Sequence, residues 1–115
     1  MATFTKVKLS GSTNGRGIAV AATATLGTTI HTAHATALDE VWLYAANIHS
    51  SAVTLTVEFG GVTVTSDLIQ QSIAATPSGL VLVCAGLLVT GSVVVTAFAG
   101  TANKIELFGF VNRIA

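Results

Sequence analysis

Apolar and polar residues alternate with a period of two through most of the chain, interrupted by short glycine-containing segments, and this pattern predicts strands joined by turns. The clearest case is the run VTLTVEF, where Val53, Leu55, Val57 and Phe59 fall on one side and Thr54, Thr56 and Glu58 on the other. One buried and one wetter face produce that signature. Residues 3–9 predict a first strand, and the GSTNGRG that follows places Asn14-Gly15 where a tight turn needs positive φ. Ala- and Thr-rich strands are expected over 17–25 and 28–35, separated near Gly27. The two-residue Gly60-Gly61 step predicts a hairpin of the primed turn type, with a third strand starting directly after it.

Two stretches alternate without a polar side. Over 40–48, Val41, Leu43 and Ala45 occupy one face while Trp42, Tyr44, Ala46 and Ile48 occupy the other. Over 104–114, Ile105, Leu107 and Val111 oppose Phe108, Phe110 and Ile114. A strand that is apolar on both faces is either covered twice or lays its second face against another subunit. Trp42, Tyr44, Ile48, Phe108, Phe110 and Ile114 are therefore the candidate subunit-contact residues, aromatic anchors being the usual source of interface energy.

The rest of the chain reads less sharply. SDLIQQSI, within 66–75, fits a short helix capped by Ser66 or an irregular strand, with strand or loop favoured. Pro77-Ser78-Gly79 marks a turn, 80–84 a strand, 86–92 a connection holding a short apolar piece, and 93–99 a further strand. Eight or nine short strands without a long amphipathic helix imply an all-β fold: one antiparallel β-sandwich domain spanning 1–115, of jelly-roll type. The 115-residue length suits one core.

Composition strengthens both readings. Seventeen Thr and fourteen Val favour pleated strands. Only 9% of residues are charged, and five basic side chains balance five acidic ones. Such a chain has no field to draw in a polyanion and little like-charge repulsion to hold copies apart. Self-association is expected, and nucleic acid is not. A membrane partner is not expected either: no charge occurs between Asp67 and Lys104, but Gln70, Gln71, Pro77, Gly79, Gly86 and Gly91 break that stretch before it could form a spanning helix. MATFTKVKLS lacks the apolar core of a secretory signal, so synthesis in a cytoplasm is expected.

Candidate chemistry is sparse. His31 and His34, with His49, Asp39 or Glu40, are the only metal-ligand candidates, and residues three apart on a strand point to opposite faces. Asp39 and Glu40 diverge for the same reason. No GxSxG elbow or P-loop occurs. Cys84 is the single cysteine and sits in the apolar LVLVCAGLLV, where a thiol packs as a small hydrophobe. Lys6 and Lys8 share one face of their strand and read as solvated edge positions. No enzymatic activity, metal or other cofactor is expected.

The chain resembles small virion proteins of tailed bacteriophages, most closely the β-sandwich decoration (cement) proteins of capsids. The resemblance lies in the texture and arrangement of KVKLSGSTNGRGIAV followed by GTTIHTA, of DEVWLYAANIHSSAVTLTVEFGG, and of KIELFGFVNRI. It implies a homotrimer bound to the major capsid protein or another virion protein, on the capsid surface, stabilising the head by bridging capsid subunits. Neck, tail or baseplate components have similar texture. A carbohydrate-binding jelly-roll module, with Trp42 or Tyr44 as stacking platform, is the alternative from another class.

Overall fold

The computed structural model describes residues 2–115. Nine strands form: β1 Phe4–Lys8, β2 Ile18–Ala19, β3 Thr28–Thr32, β4 Leu38–Asn47, β5 Val53–Phe59, β6 Leu68–Ile73, β7 Val81–Val89, β8 Val94–Ala99 and β9 Ile105–Ile114. There is no helix among the described residues. One sheet has the order β1-β9-β4-β7, with β2 also on β9, and the other has β3-β8-β5-β6. All pairings are antiparallel.

The pairing is nested. β5 pairs with β6, β4 with β7, β3 with β8, and β1 and β2 with β9, as in one long hairpin. Rolling that ribbon up adds the β4–β9 and β5–β8 contacts and closes a two-sheet jelly roll. Between the sheets, odd-numbered residues of β4 (Val41, Leu43, Ala45) meet Leu55 and Val57 of β5 and Leu107 and Val111 of β9 in one wholly buried core.

Gly109 holds the centre of this arrangement. It pairs with Leu43 in the β4–β9 ladder, and a Cβ at this position would overlap the carbonyl oxygen of Trp42. Asn14 (φ 56°) and Gly15 (φ 83°) form the expected tight turn, closed by Arg16 N–H donating to Thr13 O at 3.0 Å.

Three expected elements come out differently. The strand over 17–25 shrinks to Ile18–Ala19, because the chain leaves β9 there and crosses to the second sheet. Val20 N–H still donates to Ile105 O at 2.9 Å, whereas Ala22 O already accepts from Ala99 N–H at 3.0 Å. Gly60-Gly61 does not make a two-residue turn. Phe59 N–H donates to Asp67 O at 2.8 Å across a longer loop, and the Asp67 carboxylate folds into that loop, accepting Thr63 N–H at 3.0 Å in the space a Gly61 side chain would fill. The third strand therefore starts at Leu68, and the ambiguous SDLIQQSI segment is strand β6 over Leu68–Ile73. Finally, 86–89 is not a connection: β7 continues to Val89 by absorbing two register shifts against β4, with Gly86 at φ 72°.

Gly109→Ala is expected to destabilise the protein by at least about 2 kcal/mol, because backbone atoms have no rotamer by which to yield. Urea unfolding measures this, and an unchanged midpoint would mean that β9 can move away from β4 at little cost.

Candidate functional site

The register of β1, β9, β4 and β7 lays out the outer face of the first sheet in rows. Phe4, Ile114 and Leu38 form one row; Lys6, Asn112, Glu40 and Leu88 the next; Lys8, Phe110, Trp42 and Ala85 the third; and Phe108, Tyr44 and Leu82 the fourth. Five of the six residues singled out from the sequence thus share one surface. Ile48, just beyond β4, is exposed, and its N–H donates to Lys104 O at 2.9 Å, one step past the last ladder pair.

The middle of this face is largely satisfied within the molecule. The Trp42 and Phe110 rings stack with centroids 6.1 Å apart and planes 10° from parallel. On its β1 side Phe110 carries the Lys6 ammonium, 4.7 Å from the ring centroid. On its β7 side Trp42 lies against Gly86, where a Cβ would come within 3.1 Å of Cζ2. Phe108 lies against Gly17, where a Cβ would sit 2.7 Å from the ring. Trp42 Nε1–H donates to Glu40 Oε1 at 2.7 Å and Asn112 Nδ2–H to the same oxygen at 3.1 Å. These two bonds hold the Glu40 carboxyl below its ordinary range. A sugar that stacks on an aromatic ring needs an open face, and the row from Lys6 through Phe110 and Trp42 to Gly86 leaves none between its members.

A run of exposed leucines lies beside this centre. On β7 and just before it, Leu80, Leu82, Leu87 and Leu88 are all exposed, at 62%, 46%, 44% and 53%. β7 pairs on one side only, with β4, and none of its nine residues is charged. Sequence reasoning missed this flank because LVLVCAGLLV has the unbroken apolar character of a core segment. The detectable signal was Gly86 inside the run: a glycine in a strand pattern marks a bulge, and the bulge brings the leucines to the surface. A second apolar feature lies on the outer face of the other sheet, a cleft of about 290 Å³ between Leu26, Val62 and Val94 with Thr29 and Thr96 in its lining.

The histidines and carboxylates are engaged in structure. His31 is buried, and its Nδ1 accepts the Ser10 backbone N–H at 3.0 Å. Nε2 therefore carries the ring proton and donates to Asp39 Oδ2 at 2.7 Å. Ser10, His31 and Asp39 stand together, but Ser10 meets the imidazole through its main chain while its hydroxyl accepts Thr32 N–H at 2.7 Å. With both ring nitrogens committed, His31 has no lone pair with which to activate a nucleophile. Asp39 also accepts Arg113 Nε–H at 2.8 Å, Arg113 Nη2–H at 3.0 Å and His34 N–H at 3.1 Å.

His34 Nδ1 accepts the N–H groups of Thr36 and Ala37, and His49 Nδ1 that of Ser51. No group of three or more His, Cys, Asp or Glu side chains is placed to hold a metal among the described residues. Glu58, fully buried on β5, accepts from Thr25 Oγ1–H at 2.6 Å, Gly27 N–H at 2.8 Å and the Thr96 hydroxyl. Burial pushes its carboxyl up, but these three donors outweigh burial and the net shift is downward. Cys84 is buried with its Sγ–H directed at Val41 O, and burial pushes its thiol up.

For Asp39, burial opposes ionisation, but the Arg113, His31 and His34 donors prevail and lower its pKa from 3.8 to about 2. The unfolded chain takes up the proton first as pH falls. The resulting contribution, about 2 kcal/mol, is complete above roughly pH 4 and is lost as pH drops through about 2. Asp39→Asn is expected to cost roughly 3 kcal/mol at neutral pH, by stranding Arg113 and His31, and to make the acid limb shallower. Unfolding midpoints measured from pH 2 to pH 7 check this; an unchanged acid limb in the variant would place the titration elsewhere.

Comparison with known proteins finds no family model, no curated protein and no solved structure that matches this chain.

Proposed function

We propose that this protein is a non-catalytic structural subunit that works by assembling with copies of itself and with a larger scaffold. The observation that carries the reading is the uncharged β7 flank: Leu82, Leu87 and Leu88 are all about half exposed, next to an outer sheet face whose aromatic centre is already packed. An isolated exposed leucine needs no explanation, but several along one uncharged strand form the kind of surface that subunits cover. The low charge of the whole chain supports the same reading.

The scaffold we propose is a tailed-phage virion, with the chain as a decoration protein that bridges capsid subunits. Support comes from the resemblance of its three segments to small virion proteins, and from the jelly-roll strand order, a topology used by viral capsid domains and lectin domains alike. For the lectin branch of that analogy, Trp42 as stacking platform is disfavoured by its contacts with Phe110 and Gly86.

Sedimentation of the purified protein across a concentration range tests the assembly reading. Wild-type protein is expected to associate, and the double variant Leu82→Lys, Leu88→Lys to shift to monomer with stability within about 0.5 kcal/mol of wild type, since both side chains are exposed. Phe110→Ser is expected to behave in the opposite way, costing roughly 1–3 kcal/mol of folding stability because the ring is packed between Lys6 and Trp42. A wild-type protein that stays monomeric at all concentrations and binds no capsid particle would contradict the proposal.

A further inference from the structure

We infer that two copies of the chain join edge to edge through β7, pairing antiparallel about a two-fold axis so that the first sheet continues from one copy into the next. This deepens the assembly reading and rests on it. An edge strand presents a row of N–H and C=O groups that either stay in water or pair with another strand, and proteins that remain single blunt such edges with charge, proline, a bulge or a covering loop.

The edges at β1 and β3 show these devices, while β6 presents polar amide and hydroxyl side chains instead. β1 carries Lys6 and Lys8. β3 is covered by the loop that follows β1: Gly11 N–H donates to Ile30 O at 2.9 Å, and Thr32 N–H to the Ser10 hydroxyl. β6 is lined by Gln70, Gln71 and Ser72 and follows directly on Asp67. β7 has no charge and no proline, and no loop among the described residues donates or accepts a main-chain hydrogen bond along it; the only such device it carries is its pair of bulges at Val83 and Gly86.

A second copy is the occupant that the chemistry of this edge favours. Across a two-fold axis each residue near the axis meets its own equivalent, so any charge there would meet a like charge. VLVCAGLLV contains none. Its bulged register also exposes Leu88, opposite outward-facing Glu40, and Leu87, opposite inward-facing Val41. Leucines therefore flank the edge on both faces of the sheet, where they would pack against their equivalents above and below a shared ladder. Nine residues span about 31 Å, so a strip roughly 10 Å wide covers about 300 Å² per copy. A stable interface needs about 800 Å² per partner. The contact must then extend to Leu80, Leu82 and the neighbouring outer rows, continuous with the surface described above.

Nitroxide labels at single cysteines test the pairing: Leu82→Cys, Ala85→Cys, Leu87→Cys and Leu88→Cys, with buried Cys84 left in place. In an antiparallel two-fold pair the distance between equivalent residues passes through a minimum at the axis and grows by about 7 Å for each residue away from it. A minimum within β7 in a dimer or even-numbered assembly, together with at least tenfold weaker association of Leu88→Lys, is the expected result. An assembly without such a minimum, including the three-fold ring implied by the resemblance to decoration proteins, would overturn edge pairing and leave the assembly reading standing. Protein that is monomeric at every concentration would overturn both.

Discussion

The ten-residue ladder between β4 and β9, from Leu38 opposite Ile114 to Asn47 opposite Ile105, decides which way every side chain in the first sheet points. A slip of β4 by one residue would turn Val41, Leu43 and Ala45 out to solvent and drive Trp42 and Tyr44 into the core. Gly109 guards this register, since only a residue without Cβ fits beside the Trp42 carbonyl. With parity settled, the odd residues of β4 and β9 build the core and the even residues build the outer face. Core and outer face are thus two sides of one pairing.

Buried polar side chains then hold the ends of the sandwich, where strands change sheet and the ladder gives no help. Asp39 ties β4 to β9 through Arg113 and to β3 in the opposite sheet through His31. At the other end Asn47 Nδ2–H reaches the carbonyls of Ser51, Ile73 and Ala74, and its Oδ1 accepts His49 N–H at 2.8 Å. Glu58 anchors the crossing segment through Thr25 and Gly27. No buried side-chain nitrogen or oxygen lacks a partner among the described residues, so each charge or amide removed from water is compensated. These groups are the chain's most chemically suggestive residues, and their hydrogen-bonding capacity is used to fasten loops.

Where alternation was strict and turns were short, the fold was legible from residues alone: β5, the two-faced character of β4 and β9, and the Asn14-Gly15 turn all have local causes. The elements that could not be read depend on distant partners. β2 is cut short by a crossing to β8, the Gly60 loop is shaped by Asp67, and β7 bends around Trp42. The aromatic residues were found on one face as their spacing implied, but alternation could not reveal that Lys6, Gly17 and Gly86 would flank those rings. Nor could it show that the exposed leucines of β7 would form the surface left uncovered.

In the proposed assembly, contact falls on the flank bounded by β7, where an uncharged edge and exposed leucines lie beside a packed aromatic face. Burying the exposed half of one leucine stabilises a contact by roughly 1 kcal/mol, less than the cost of bringing two molecules together. Several leucines and a shared ladder are needed jointly. Hydrogen exchange of the β7 amides, compared between dilute and concentrated protein, tests this most directly. The account predicts that amides within Val81–Val89 slow markedly on concentration while those of β1 and β6 do not. Equal exchange of β7 at both concentrations, in protein that has associated, would contradict it.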